Sequence, residues 1–355
     1  MPNPSITEPV LPAPTVIPTP LTVASATPVP PPEIQRGISF ASWWAGQYSS
    51  PSADEALRAI AELGANWISL IVTGHQDTAE ATTISWQPPH TPSDDDLIHA
   101  VDTAHRLGLS VMLKPHVDLL NDDAHWRGDI GKAFRSEETW RAWFASYQPA
   151  IVRYATLAQT HGVEQFCVGT ELVNLSDRSA EWRAIVRAVR DVFQGSVVYA
   201  SNHDGEEASV DWWDAVDYIG VDAYYSLSTK ANPTVAELKR AWFEKEYVSL
   251  LAGLAARYGK PILFTEIGYR SITGATEQPW VWDTYAEPAP NEQANAYQAA
   301  LETFSNEPWL AGYFWWDWTT SQFQGGLADT DYTPVGKPAE KILRDFYTRL
   351  AKRTG

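Results

Sequence analysis

The sequence predicts an α/β protein, a single (β/α)8 TIM barrel over residues 36–355 that follows a disordered proline-rich segment over residues 1–35. Two observations lead to this prediction. From Gly37 onward, short apolar runs rich in β-type residues alternate with stretches of helical apolar period, a pattern typical of parallel strands joined by helical crossovers. Eight such units occupy roughly 320 residues, the usual size of such a barrel with some extended loops.

The proline-rich segment comes first. Residues 1–32 contain 11 of the 25 prolines and have no apolar period, which indicates an extended linker; a disordered remnant is the alternative. No run approaches the roughly 20 apolar residues of a membrane helix, and no basic-then-apolar leader begins the chain. We expect an extracellular or cell-surface-tethered protein whose signal or anchor is not part of this sequence.

Helix start and stop signals separate the strands of the first half. A capping box from Ser52 to Glu55 predicts the start of the first helix, and Ser93 is predicted to cap the second. Glycines that follow the apolar stripes predict the helix ends. Strands are predicted at 37–41, 66–72, 109–114 and 165–169, with a long helix at about 137–161 before the fourth.

The same alternation continues in the second half. Pro338 is predicted to begin the last helix, which runs to about residue 350. An open, doubly wound sheet is the alternative fold, but no glycine-rich phosphate loop follows the first strand. Strands are predicted at 196–200, 215–221, 261–265 and 311–315, and helices at about 180–193, 234–258 and 291–304.

The composition limits the classes of partner. The chain has 26 Lys and Arg against 44 Asp and Glu and no basic block, so nucleic acid and anionic membrane are poor partners, because both need a basic face. Its 17 Trp and 15 Tyr suit stacking on sugar rings, although core packing is the alternative. A single cysteine, Cys167, excludes an internal disulfide and a cysteine-based zinc site. The oligomeric state is not determined, and we favour a monomer.

Two predicted strands end at a glutamate. The runs 165–171 and 261–266 are short and apolar and stop at Glu171 and Glu266. A charged side chain at the end of a buried strand is costly unless it has a function or a partner. The carboxyl ends of barrel strands form the active-site face, and two carboxylates there indicate glycoside hydrolysis. The alternative is a pair of structural glutamates bound to Lys114 or an arginine.

Other strand ends carry polar and aromatic residues that suit a sugar cleft, with polar groups for hydroxyls and indoles for ring faces. Trp43, His75, Gln76, Asp118, His203, Asp222 and Asp317 are among them. Lys114 and His116 could instead be structural, and three strand-end histidines leave a metal site as an alternative. No metal-binding histidine motif is present, so we expect no metal and no cofactor. We predict substrate contacts at Trp44, Lys114, His116, Thr170, Asn202, Tyr224, Tyr225, Trp315 and Trp316.

Glutamates that end the fourth and seventh strands, 95 residues apart, resemble those of the clan A glycoside hydrolases. The resemblance implies that Glu171 is the acid/base and Glu266 the nucleophile. It also implies that Tyr224 or Tyr225 hydrogen-bonds the nucleophile, and that Trp315 or Trp316 lies under the −1 sugar.

The chain departs from this clan at one position. Most members have Asn before the acid/base, where it donates to the sugar 2-hydroxyl, whereas this chain has Thr170, and Asn202 is the candidate replacement. Gly-Thr-Glu at 169–171 and Leu-Lys-Pro-His-Val-Asp at 113–118 are more similar to glycoside hydrolase family 113. That family consists chiefly of retaining β-1,4-mannanases.

The resemblance therefore implies a retaining, endo-acting glycoside hydrolase that cleaves β-1,4-mannan-type polysaccharide, with an oligo- or polysaccharide as its partner. The alternatives are a clan A glycosidase or transglycosylase on another β-glycan such as glucan or xylan, a barrel that only binds carbohydrate, and a metal-dependent hydrolase.

Overall fold

Eight parallel strands close into a barrel in which neighbours in sequence are also neighbours in space. This computed structural model describes residues 33–354, and the predicted proline-rich segment lies outside them apart from its last three positions. The predicted (β/α)8 barrel is confirmed. The strands are β1 Gln35–Ala41, β2 Trp67–Gln76, β3 Ser110–Leu119, β4 Gln165–Thr170, β5 Ser196–Asn202, β6 Tyr218–Asp222, β7 Ile262–Ile267 and β8 Leu310–Thr319.

Helices surround the barrel, and all of the predicted long ones are present, with one of them divided. Within the described residues they are α1 Pro51–Glu62, α2 Asp94–Arg106, α3 Glu137–Thr160, α4 Ser179–Arg190, α5 Glu206–Ser209, α6 Val235–Glu244, α7 Tyr247–Tyr258, α8 Pro290–Phe304 and α9 Pro338–Thr354, with short 3-10 turns at Arg127–Asp129 and Trp213–Ala215. None of these helices is long and apolar enough to cross a membrane.

Ser93 caps α2 as predicted. Two other helix predictions are wrong in detail. Helix α1 begins at Ser50, whose hydroxyl accepts from the amide of Ala53, rather than at Ser52. Pro51 fills the first helical position because its fixed φ suits a helix start. The predicted long helix at 234–258 is two helices, since Glu246 adopts a left-handed conformation with φ of 62°.

The barrel interior and the helix layer have separate apolar cores. The interior is filled by Met112, Cys167, Val198, Ala200, Leu263 and Phe314. Many of the tryptophans serve the helix layer, so core packing explains a large part of the aromatic composition. The fully buried tryptophans are Trp143, Trp182, Trp212, Trp213, Trp242 and Trp315, whereas Trp43, Trp44, Trp126, Trp280 and Trp282 are exposed.

Irregular pairing near the strand ends shapes the active-site face. The register shifts between β4 and β5 just before Thr170, between β6 and β7 at Asp222, and between β7 and β8 after Phe264. Such irregularities turn side chains away from the regular alternation, and they are common beside active sites. In contrast, β2 and β3 pair without interruption over ten residues each and extend further than predicted.

Candidate active site

Glu266 is the last residue but one of β7 and is only 4% exposed. Its Oε1 atom accepts a hydrogen bond from Lys114 Nζ at 2.6 Å, and its Oε2 atom accepts from the Tyr224 hydroxyl at 2.8 Å. His116 Nε2 lies 3.7 Å from Oε1. Both oxygens therefore receive donors, one of them charged, and the carboxyl group is held in one orientation.

Lys114 is completely buried and joins two carboxylates. Its ammonium also donates to Asp222 Oδ1 at 3.0 Å and Oδ2 at 3.1 Å, and Thr265 donates to the same Asp222. Burial opposes the charge, but Asp222 and Glu266 outweigh it, so the pKa of Lys114 is raised. Lys114 therefore stays ionised. No part of its side chain reaches the surface, so the geometry favours the ion-pair alternative over the predicted sugar contact.

Glu171 follows β4 directly and has an unusual backbone conformation, with φ of 53°. Its Oε1 accepts from Asn202 Nδ2 at 3.0 Å, and its Oε2 lies 3.5 Å from Arg127 Nη1. Burial raises the pKa of Glu171 to about 7, an effect that Arg127 opposes and Glu266 reinforces. Glu171 is therefore partly protonated near neutral pH and can give up or take up a proton.

His116 is buried beside Glu266 and is neutral. Arg127 Nη1 lies 2.9 Å from His116 Nδ1 and can only donate, so Nδ1 accepts and the ring proton is on Nε2. Burial, followed by the charges of Arg127 and Lys114, lowers the pKa of His116 well below its usual value. Among the described residues, Nε2 has no hydrogen-bond partner, and this leaves a buried N–H donor beside Glu266.

Aromatic rings border the carboxyl groups on the β8 side. Trp316 is partly exposed, lies nearly parallel to the His116 ring at 6.3 Å, and meets Trp43 edge-on at 6.5 Å. Trp44, the next residue, is 47% exposed and packs on His90 at 4.6 Å. Trp316 and Trp43 therefore offer apolar faces next to the carboxyl groups, and Trp44 extends this edge outward.

Three further residues predicted as sugar contacts have buried side chains with partners inside the protein. Thr170 donates to the carbonyl of Pro115, and the Tyr225 hydroxyl donates to Glu207 at 3.0 Å. Trp315 is stacked on Tyr297 at 3.9 Å and has no exposed surface. Tyr224 and Trp316 are therefore the members of the two aromatic pairs that lie beside Glu266 and His116.

Several residues at the site carry weak sequence signals. Arg127 lies in the loop after β3, eight residues beyond the strand, and it also donates to Asp118. Trp280, 42% exposed, packs at 5.0 Å on His203, whose ring lies 6.4 Å from that of Tyr224. In the sequence, Trp280 is marked by the aromatic-rich stretch Trp-Val-Trp in the loop after β7.

Asp317, the residue after Trp316, is also buried beside the site. Burial raises the pKa of Asp317 to about 8, with Asp331 and Glu266 adding to the effect, so it is largely protonated at neutral pH. In the part of the chain that the structure describes, no group of three or more His, Cys, Asp or Glu side chains is placed to hold a metal ion. The site is thus built from carboxyl groups, their donors and aromatic rings.

Comparison with known proteins identifies the family. The model of Glycoside Hydrolase Family 113 matches residues 39–337. A GH113 β-mannanase from Alicyclobacillus acidocaldarius, solved in complex with ManMIm, is 33% identical with a TM-score of 0.80, covering 90% of this chain and 98% of its own. A second GH113 β-1,4-mannanase structure is 30% identical with a TM-score of 0.80 and covers 89% and 99%.

More distant structures share the fold alone. A β-glucuronidase from Ruminococcus gnavus is 12% identical with a TM-score of 0.60, covering 89% of this chain and 50% of its own. No curated protein matches this chain in sequence. The family match over most of the chain, together with the identity to two GH113 structures, shows that this protein is a glycoside hydrolase and belongs to glycoside hydrolase family 113.

Proposed function

We propose that this protein is a retaining, endo-acting β-mannanase in which Glu266 is the nucleophile and Glu171 the acid/base. The observation that carries the proposal is the contrast between the two carboxyl environments. Glu266 accepts hydrogen bonds from the Lys114 ammonium and the Tyr224 hydroxyl, an arrangement that suits an ionised nucleophile. Burial raises the pKa of Glu171 to about 7, which suits a proton donor.

The first half of the reaction forms a covalent intermediate. A carboxylate oxygen of Glu266 attacks the anomeric carbon while the bond from that carbon to the glycosidic oxygen breaks. Glu171 gives its proton to the departing oxygen, so the leaving sugar is released as a neutral alcohol. The remaining sugar is then esterified to Glu266, and Glu171 has become a carboxylate that Asn202 and Arg127 stabilise.

The second half reverses these roles. Glu171 takes a proton from a water molecule, whose oxygen attacks the anomeric carbon and displaces the Glu266 carboxylate. Two inversions give a product with the configuration of the substrate. Both residues return to their starting states, with Glu171 protonated and Glu266 ionised, and no further reactant is needed.

The neighbouring side chains provide sugar contacts. In this proposal the −1 ring lies on the Trp316 face, and the Asn202 amide and the His116 Nε2–H group serve its hydroxyls. The leaving sugar lies beyond Glu171, on the side of Asn202 and His203. Trp280 packs on His203 and is therefore the candidate platform for that leaving sugar.

The substrate assignment follows the relatives. Two structures at 30% and 33% identity are named β-1,4-mannanase and β-mannanase, which favours β-1,4-mannan over glucan or xylan. A transglycosylase would use the same intermediate with a sugar in place of water. An extracellular or cell-surface-tethered location is part of the proposal, since a polysaccharide substrate is found outside the cell.

Incubation of the full chain with β-1,4-mannan, followed by product analysis, tests the proposal. Wild-type protein is expected to release manno-oligosaccharides, and Glu266→Ala is expected to release none. Proton NMR of the first products should show the β-anomer, which reports retention. A first-formed α-anomer contradicts the mechanism. Release from glucan or xylan but not from mannan contradicts the substrate assignment and leaves the two-glutamate mechanism standing.

A further inference from the structure

Glu206 is a buried carboxyl group that the proposed reaction does not use, and it is connected to Glu171 through hydrogen bonds of Asn202. Glu206, at the start of α5, is 2% exposed, and no basic side chain is among its hydrogen-bond partners in the described chain. Its Oε1 atom accepts from the Tyr199 hydroxyl, and its Oε2 atom accepts from the backbone amide of Asn202 at 2.7 Å. Burying a carboxyl group without a cation is unfavourable, and these two hydrogen bonds offset part of that cost.

Both partners of Glu206 lead to Glu171 by different routes. Asn202, held by its backbone amide, donates from its side-chain Nδ2 to Glu171 Oε1 at 3.0 Å. The Tyr199 hydroxyl, which donates to Glu206, accepts from the amide of Leu172 at 3.2 Å. Leu172 is the residue that follows Glu171. One carboxylate is therefore connected to the side chain of Glu171 and to the backbone just after it.

The conformation of Glu171 gives these connections a function. A non-glycine residue at φ of 53° is strained and keeps that conformation only when its surroundings impose it. On the near side, the Glu171 amide donates to the carbonyl of Ala200 at 2.8 Å. On the far side, the bond from Leu172 to Tyr199 holds the chain, and Glu206 fixes the direction of the Tyr199 hydroxyl.

We propose that Glu206 is a positioning residue for Glu171, which holds the carboxyl group of the acid/base through Asn202 and its backbone through Tyr199. The inference rests on the proposed role of Glu171. Glu206 touches neither substrate nor reacting atoms, and it acts because both of its oxygens accept hydrogen bonds. A glutamine has the same shape but only one accepting atom, so Glu206→Gln breaks one of the two connections.

The chain offers a matched control and a second variant. Glu207, the next residue, is equally buried and accepts from the Tyr225 hydroxyl at 3.0 Å and from the amide of Gly205 at 2.9 Å, and neither bond leads to Glu171. Glu207→Gln therefore makes the same chemical change at a residue that is not hydrogen-bonded to the partners of Glu171. Tyr199→Phe removes the hydrogen bond that holds the Leu172 amide and leaves the Glu206 carboxyl group in place. It therefore tests the positioning role even if Glu206→Gln does not fold.

The first readout needs no substrate. Carbon-13 NMR of the glutamate carboxyl groups in the full chain measures the pKa of Glu171, and Glu171→Gln assigns its signal. Burial raises the pKa of Glu206 to about 7 as well, with Tyr199 and Asp222 among its titratable neighbours, so this assignment is needed.

Because the Asn202 bond lowers the pKa of Glu171, weakening that bond in Glu206→Gln should raise the pKa from about 7 to roughly 7.5–8. Tyr199→Phe should also raise the pKa of Glu171, because the backbone after Glu171 is then no longer held. The variant that carries both substitutions should show a pKa close to that of the single variant with the larger rise. Glu207→Gln should leave it unchanged. An unchanged pKa of Glu171 in both Glu206→Gln and Tyr199→Phe overturns the inference.

The second readout separates positioning from general damage. Aryl β-mannobiosides with poor leaving groups need the proton of Glu171, whereas a dinitrophenyl leaving group does not. Glu206→Gln should lower kcat/KM about ten-fold on the phenyl substrate and less than about two-fold on the dinitrophenyl substrate. Equal losses on both overturn the positioning role. If the wild type turns over no mannobioside, the proposed substrate fails, and the NMR titration still decides the role of Glu206.

Discussion

Replacing Lys114 by methionine removes the positive charge that two buried carboxylates share. Lys114 donates to Glu266 at 2.6 Å and to Asp222 at 3.0 and 3.1 Å, and its side chain has no exposed surface. Methionine fills a similar volume without a charge. Burial and Glu266 already raise the pKa of Asp222, and Lys114 opposes that rise; without the lysine we expect the folded variant to take up about one additional proton at this pair.

The size and sign of the effect follow from proton linkage. In the wild type the pKa of Lys114 is raised, so its contribution to stability is present throughout pH 5–8 and is lost only in strongly alkaline solution. In the variant, the additional proton binds a carboxyl group whose unfolded pKa is about 4. The loss in free energy of unfolding therefore grows by about 1.4 kcal/mol per pH unit above that value, reaching about 4 kcal/mol at pH 7 and about 1.5 kcal/mol at pH 5.

Urea unfolding followed by tryptophan fluorescence at pH 5, 6, 7 and 8 measures this loss, with the wild type at each pH as reference. Asp222→Asn in the Lys114→Met background removes one of the two unpaired carboxylates and should restore part of the stability at pH 7. A loss that is the same at pH 5 and pH 8, or a double variant less stable than Lys114→Met, would refute the shared-charge account.

Three further predictions concern activity on mannan. Tyr224→Phe should lower kcat by about 10- to 100-fold, since it removes the 2.8 Å bond to Glu266, whereas Tyr225→Phe should stay within about two-fold; comparable losses in both would contradict the assignment of Tyr224. The kcat/KM of the wild type should fall as pH rises through about 7, because Glu171 must be protonated to act, and a pH profile that is flat from 6 to 8 would count against this role. Trp280→Ala should raise KM for mannohexaose about ten-fold and leave aryl mannobiosides little changed, and an equal effect on both would remove Trp280 from the leaving-sugar side.

The barrel and the position of the two glutamates at its strand ends could be predicted because their signals are local. Apolar strand runs that stop at Glu171 and Glu266 are visible in the sequence, and the barrel topology brings all strand ends to one face. The sequence could not separate Tyr224 from Tyr225 or Trp315 from Trp316. Trp315 and Trp316 are adjacent on β8 and so point to opposite faces, whereas Tyr224 and Tyr225 follow the end of β6, where its pairing with β7 is irregular.

The residues that hold the glutamates were harder to predict, since they act across long separations in sequence. Arg127 reaches Glu171 from a loop beyond β3, and the connection through Glu206 runs by way of a tyrosine and a backbone amide. Lys114 looked like a sugar ligand because it ends a predicted strand, but β3 continues to Leu119, which places Lys114 inside the barrel. The break at Glu246 likewise carries no glycine or proline signal.

Trapping the covalent intermediate tests the central claim most directly. A 2-deoxy-2-fluoro-β-mannobiosyl substrate with a dinitrophenyl leaving group slows the second half of the reaction more than the first, so the glycosyl-enzyme accumulates. Mass spectrometry of the intact protein should then show the mass of one added 2-deoxy-2-fluoromannobiosyl group. Peptide mapping should place this group on Glu266, and Glu266→Gln should not be labelled. A label on another residue, or no label on a wild type that hydrolyses mannan with inversion, would contradict the account.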